Sequence, residues 1–212
     1  MANYFTIGER FQTEFVEKRS RFIGTIIPVQ NESEAQAVLE EFRTKYWDAT
    51  HNCFAYVTEK GRLSRFSDDG EPHGTAGKPI LDVINGSSLV NVIVVVTRYF
   101  GGVLLGTGGL VHAYSKSARD VVSAAQIIEM VECAVYNIVC EYTDHAKLVK
   151  LLQDCGASIE ETEFTDKVTI TYALRTPDVE NFENKLTETF SARIKSNEKE
   201  IKLVPFPVKK EN

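Results

Sequence analysis

The 212-residue sequence predicts an α+β protein of two domains, an α/β sandwich followed by a ferredoxin-like module. Three observations predict it. Residues 89–96 are β-branched and almost wholly apolar, the pattern of a central strand buried on both faces. That run passes through a turn rich in glycine into a segment with helical spacing, so a strand feeds a helix in the first domain. Beyond Glu129 the elements shorten and follow the order βαββαβ, the ferredoxin-like plan.

Each element has its own local reason. Residues 11–18 and 21–29 alternate or cluster apolar positions around the charged Glu17-Lys18-Arg19-Ser20, which reads as a hairpin. Asn31 is placed to cap a helix whose apolar positions Ala35, Val38, Leu39, Phe42 and Tyr46 follow the 3.6 period. Glu32 and Glu34 favour its first turn. Residues 52–58 and 62–67 flank Glu59-Lys60-Gly61 as a second hairpin. The loop over 67–79 combines acids, glycines and two prolines, and Pro79 suits the first turn of a short helix ending by Asn85-Gly86. After the central strand and the glycine loop over 97–109, a long helix is expected from Leu110 to about Glu129.

In the second domain the expected elements are a strand at 135–142 and a helix capped by Asp144 carrying Leu148, Leu151 and Leu152. Gly156 sits where a C-cap belongs. A hairpin at 158–164 and 168–174 follows, then a helix started by Pro177 through Phe182, Leu186 and Phe190, and a last strand at 201–206. The boundaries are therefore 1–130 and 131–206, with 207–212 as a loose tail.

Composition narrows the function. With 24 Lys plus Arg against 30 Asp plus Glu, the net charge of −6 argues against a protein held on nucleic acid by bulk charge. The charged first twenty residues lack the apolar core of a leader, and no apolar run approaches membrane-spanning length, so a cytoplasmic protein without membrane contact is expected. Cys53, Cys133, Cys140 and Cys155 make no Cys-x-x-Cys pair and read as reduced, buried thiols.

Two loops carry the chemistry that can be read. Gly101, Gly102, Gly106, Gly108 and Gly109, with Thr107, lead into a helix N-terminus, where unpaired amides and the helix dipole favour an anion. Neither loop completes a phosphate motif: Thr107-Gly108 follows Gly106 where Lys-Ser or Lys-Thr is required, and Pro79 replaces the hydroxyl residue after Gly77-Lys78. Asp68, Asp69 and Glu71 are dense enough for a hard cation but lack the spacing of a calcium loop, so no metal site or cofactor is assigned. His51 and Cys53 share a strand face without a third partner. Arg62, Arg65, Lys78 and Arg98 fall in or beside the loops, and Tyr99 and Phe100 offer rings for stacking on bases.

Four ordered blocks give a family resemblance: Ser20-Arg21-Phe22-Ile23-Gly24; His51-Asn52-Cys53-Phe54-Ala55-Tyr56; Ser67-Asp68-Asp69-Gly70-Glu71-Pro72 with Gly74-Thr75-Ala76-Gly77; and Thr97-Arg98-Tyr99-Phe100-Gly101-Gly102 with Leu105-Gly106-Thr107-Gly108-Gly109-Leu110-Val111. The sequence resembles the YigZ/IMPACT family, specifically its bacterial two-domain members. The resemblance implies a ribosomal-protein domain-2-like α/β sandwich, shared with a translocase domain and the GHMP kinases, and a C-terminal domain like the end of elongation factor G. It also implies a role close to translation, which eukaryotic relatives regulate by competing for an activator of an initiation-factor kinase. Those relatives carry a different extra domain, so that partner is not carried over. His112 stands where the family pattern has arginine, and His73 where a small residue is usual; the first removes a fixed positive charge.

The expectation is a cytoplasmic, non-enzymatic binding protein acting in translation or its regulation through RNA, the ribosome or an acidic partner. Arg65, Lys78 and Arg98 would hold phosphates or that partner, with Tyr99 beside them. The glycine-loop amides would accept an anion, while Asp68, Asp69 and Glu71 orient the arginines. The alternative is an enzyme acting on a phosphorylated small molecule, with the glycine loop as phosphate cradle and Asp68 or Asp69 as base or metal ligand.

Overall fold

The computed structural model describes residues 3–208 and is α+β, with two sheets and five helices. Two compact units divide the chain, one over residues 4–129 with Pro207 and Val208, the other over residue 3 and 130–206. Residues 209–212, most of the expected loose tail, lie outside the described residues.

The first unit holds β1 (Tyr4–Ile7), β2 (Phe11–Glu17), β3 (Ser20–Pro28), α1 (Glu32–Lys45), β4 (His51–Thr58), β5 (Leu63–Ser67), α2 (Gly77–Gly86), β6 (Val92–Tyr99) and α3 (Gly106–Ala124). Its sheet runs β2-β3-β6-β4-β5, antiparallel throughout. Strand β6 is central, as its unbroken apolar run requires, because side chains on both of its faces must be covered. Val92, Val94 and Val96 pack with Ile80, Ile84, Ala113, Tyr114 and Val121 of α2 and α3. Ile93 and Val95 pack with Ala35, Leu39 and Phe42 of α1. The unit is therefore one sheet between helices on either face, with period-two alternation deciding which residues meet which helix.

Helix α1 begins as expected: the Asn31 side chain accepts the Glu34 amide at 2.9 Å, and the Glu34 carboxylate accepts the Gln30 amide at 2.8 Å. Strand β1 was not anticipated. It makes one parallel bridge, Phe5 to Leu89, and the Gly8 amide donates to the Gln126 carbonyl at 3.2 Å.

Three boundaries around the central strand and the helix after it move. Asn91 takes a left-handed conformation, φ 58°, while its side chain binds the Lys60 amide and Gln30, so β6 starts at Val92 and carries Thr97, Arg98 and Tyr99 inside the strand. The glycine loop shrinks accordingly, and Gly106-Thr107-Gly108-Gly109 form the first turn of α3. That helix stops at Ala124, before the expected Glu129, because Ala125 turns extended and the β-branched Ile127 and Ile128 open the next strand.

The second unit uses β7 (Ile127–Cys140) from Met130 onward, α4 (Tyr142–Asp154), β8 (Ser158–Phe164), β9 (Val168–Arg175), α5 (Val179–Phe190) and β10 (Ser196–Pro207). The strand order β10-β7-β9-β8 realises the βαββαβ reading. Leu148 and Leu152 of α4 and Phe182, Leu186 and Phe190 of α5 cover Ile138, Ile170 and Tyr172 on one sheet face. Asp144 is not the cap of α4. Glu141 occupies that position without a side-chain bond, and Asp144 sits in the first turn facing Arg193 at 3.4 Å. All four cysteines are free, and Cys53, Cys133 and Cys140 are buried.

Strand β3 crosses α3 so closely that a Cβ added to Gly24 would stand 2.8 Å from the Ser117 carbonyl oxygen and 2.7 Å from its hydroxyl. We therefore expect Gly24→Ala to lose about 1–3 kcal/mol in urea unfolding through overpacking of that crossing.

Candidate functional site

The acidic loop is built around Asp68. Its Oδ1 accepts the amides of Ala76 and Gly77 at 3.0 and 2.8 Å, and its Oδ2 accepts that of Gly74 at 2.8 Å. Burial raises the Asp68 pKa, but the three amides and nearby His73 outweigh it and hold the carboxyl below its ordinary value of 3.8. Asp69 accepts the Asn52 amide at 2.6 Å, and its carbonyl receives His51 Nδ1 at 2.7 Å. These two acids thus shape the loop and orient no arginine.

Glu71 does what was expected of all three. The Arg98 guanidinium donates to Glu71 Oε1 at 2.5 Å, and the Tyr114 hydroxyl donates to the same oxygen at 2.7 Å. His51 Nε2 stands 3.8 Å from it. The carboxylate is 3 % exposed and the Arg98 side chain 6 %, so the pair lies out of water. Arg98 also donates to Ser20 Oγ at 3.3 Å, and its guanidinium carbon lies 5.5 Å from the centroids of both the Phe22 and the Phe100 rings. Ser20 Oγ in turn accepts the Gly101 amide at 3.3 Å. Cys53 and Tyr114 lie beneath this group, and burial raises both of their pKa values, so thiol and phenol stay protonated.

Above the buried group the two loops meet. A cavity of about 390 Å³ is lined by His51, Glu71, Pro72, Arg98, Phe100 and Leu104–Thr107, with Thr50 and Leu110. Leu104 is 82 % exposed and Phe100 45 %, and Val103 and Val111 are also exposed. Gly101 supports the rim through close approach: a Cβ there would fall 2.0 Å from the Arg19 carbonyl oxygen, so the β2–β3 turn lies directly against the loop.

Of the residues expected to form a site, Glu71, Arg98, Gly106 and Thr107 line the cavity. Gly108 and Gly109 continue the same helical turn, and Gly101 and Gly102 form its approach. Tyr99 cannot share a face with Arg98, its strand neighbour; its hydroxyl donates to Asp48 at 2.9 Å on the α1 side. Arg65 pairs in register with Tyr56, also on the α1 side, and faces Glu32 at 3.8 Å. Lys78 lies on the outer face of α2 against Asp82. The expected cluster of three cations is therefore not assembled: strand alternation sends Arg65 to the α1 side, and Lys78 is held by Asp82 on the outer face of α2.

Ser20 and Tyr114 belong to the buried group but lie outside the two loops. Tyr114 follows Leu110 by one helical turn on the buried stripe of α3, so its burial was legible and its partner was not.

Two outcomes test this construction. Arg98→Met should cost about 3–5 kcal/mol, with part recovered when Glu71→Leu is added, since the penalty is an unpaired buried charge; paired urea curves measure it. Asp68→Asn should cost about 1.5–3 kcal/mol at neutral pH. Because the Asp68 pKa is depressed in the folded state, its contribution is present above 3.8 and is lost as pH falls through the folded value. The deficit of Asp68→Asn should accordingly shrink in acid unfolding curves.

Comparison with known proteins fits this architecture. Residues 18–122 match the Impact N-terminal domain, and residues 138–193 match a domain of unknown function, DUF1949. The chain is 34 % identical over 200 residues to the IMPACT family member YvyE of Bacillus subtilis, covering 94 % of this chain and 92 % of that one. It is 36 % identical over 174 residues to the IMPACT family member YigZ of Escherichia coli, covering 81 % and 85 %. A crystal structure described as that of a hypothetical protein superposes with a TM-score of 0.61 at 32 % identity, covering 94 % of this chain and 98 % of that one. The Dictyostelium discoideum protein IMPACT homolog matches 56 % of the chain at 32 % identity, over only 35 % of its own length. With both domains matched in order and relatives aligned over nearly its full length, the chain belongs to the IMPACT family.

Proposed function

We propose that the chain is a cytosolic binding protein acting in translation or its regulation, and that the rim of the two-loop cavity is its contact surface. One observation carries the reading: the acidic and glycine loops, far apart in sequence, close on a single cavity whose rim exposes Phe100 and Leu104. Exposed apolar side chains grouped around a concavity are a feature of recognition surfaces. The charges beneath are paired with one another, so they brace the surface and do not form an open basic patch. RNA or the ribosome is the favoured partner, because Phe100 presents a ring beside an arginine, a platform for a base. An acidic protein is the other outcome of the test.

The rival, an enzyme acting on a phosphorylated small molecule, relies on Asp68 or Asp69 as base or metal ligand. Both are occupied by backbone amides of their own loop and its neighbouring strand, which favours the binding reading.

Co-sedimentation with ribosomes and filter binding to RNA, each at low and moderate salt, test the proposal. Wild type should bind at both salt concentrations, since the rim is apolar and the charges beneath it are paired. Phe100→Ala and Leu104→Asp should each weaken binding by about tenfold or more without changing the fold. Wild-type binding that these variants leave unchanged would move the contact elsewhere.

A further inference from the structure

The floor of the cavity offers two unused acceptors. Arg98 and Tyr114 both donate to Glu71 Oε1, and among the described residues nothing donates to Oε2. His51 stands beside it, with Nε2 at 3.8 Å from Oε1 and Nδ1 at 2.7 Å from the Asp69 carbonyl. A carbonyl only accepts, so the neutral ring carries its proton on Nδ1 and keeps a lone pair on Nε2. Among the described residues, the buried side-chain atoms without a partner are Thr58 Oγ1, Arg98 Nε, Ser117 Oγ and the Tyr172 hydroxyl. Glu71 Oε2 and His51 Nε2 are not with them. Both residues line the cavity, so both acceptors open onto it, whereas Arg98 Nε is sealed and takes no part.

Charge decides what can fill this floor. Glu71 is already paired with Arg98 out of water, so the two together are neutral. A further cation would set two positive charges on one buried carboxylate, and an anion would face that carboxylate directly. A neutral group that donates two hydrogen bonds meets neither penalty. The walls are Pro72, Phe100, Leu104, Leu105 and Leu110, which suit a flat ring, and Phe100 offers an exposed face to stack on it. Among the nucleic-acid bases, guanine carries two donors side by side, N1–H and the N2 amino group. Uracil has one donor between two carbonyl oxygens. Adenine and cytosine set a ring acceptor beside the amino group, where it would face a lone pair of the floor.

A separate observation lies at the rim. Glu17 and Ser20 pair across a two-residue turn whose Lys18 and Arg19 have φ of 44° and 66°. Asn and Gly are the residues such a turn favours, and here two cations stand in their place. Both are exposed, and neither has a hydrogen-bond or ion-pair partner among the described residues. The Arg19 carbonyl lies directly against Gly101, so the turn adjoins the loop that carries Phe100. Unpaired cations next to an exposed aromatic ring are the elements of a single-strand site. We propose that the cavity takes one unstacked guanine of a single-stranded RNA. Glu71 and His51 read its Watson–Crick edge, Phe100 lies against its ring, and Lys18 and Arg19 meet the flanking phosphates. The inference rests on the RNA reading of this rim and deepens it by naming the base.

The test is fluorescence anisotropy of the full chain with labelled uridine nonamers carrying guanine, inosine, adenine or uracil at the centre. The guanine strand should bind saturably and at least about tenfold more tightly than the adenine or uracil strand. Inosine keeps N1–H but lacks the N2 amino group, and should bind about threefold or more weakly than guanine. His51→Ala, with its melting temperature measured alongside, should shrink the guanine preference. The four wild-type strands decide the question even if that variant fails to fold. Lys18→Asn with Arg19→Gly should keep or raise the melting temperature, because the turn gains its favoured residues. It should weaken all strands alike and flatten the log–log salt dependence by about 1.4, the share of two phosphate contacts. A slope that shallow leaves wild-type binding measurable at moderate salt. Equal binding of the four strands overturns the proposal, as does binding of guanosine monophosphate as tight as that of the guanine strand. If no strand binds while ribosomes still co-sediment, the guanine pocket falls and the translation reading stands. Guanine-selective binding without co-sedimentation removes the ribosome and keeps the pocket.

Discussion

A single carboxylate oxygen joins the parts of the first unit that matter most. Glu71 comes from the acidic loop, Arg98 from the end of the central strand and Tyr114 from the long helix, and the last two meet on Oε1. Arg98 and Tyr114 lie 27 and 43 positions from Glu71, so the contact closes two long segments of chain at one point. Buried charge tolerates no loose geometry, because either partner left alone bears a desolvation cost that water no longer offsets. The loops therefore have one arrangement in which the pair is satisfied, and in that arrangement the cavity exists.

Neighbouring contacts extend the same constraint outward. Asp68 gathers three amides of its own loop, fixing where Glu71 emerges. Ser20 binds both Arg98 and the Gly101 amide, tying the first hairpin to the loop beyond the central strand. Stability and recognition are thus carried by different atoms of one assembly. The charged groups hold each other below, while the apolar rim above remains exposed.

Much of the architecture was legible because it rests on periodicity. The run from Val92 to Val96 had to be central, Ala35, Leu39 and Phe42 had to face a sheet, and the βαββαβ order of the second unit followed from spacing alone. Boundaries were less legible where one residue overrides a pattern. The left-handed Asn91 delays the central strand by three residues, and that shift places Arg98 inside the sheet. From this follows the error in the site. A loop could point Arg98 and Tyr99 together, whereas a strand sends them to opposite faces, and Arg65 goes with Tyr99 because it is in register with Tyr56. The pairing of Glu71 with Tyr114 was beyond reach, since nothing local in the sequence signals a contact 43 residues apart.

The distribution of thiols has a practical consequence. Cys53 lies in the core of the first unit, and Cys133 and Cys140 lie in the second, all three closed to solvent. A thiol reagent can reach them only when the surrounding strands separate. Each unit therefore carries its own built-in clock for opening, readable by mass spectrometry without any engineered label, and the two clocks can run at different rates within one chain.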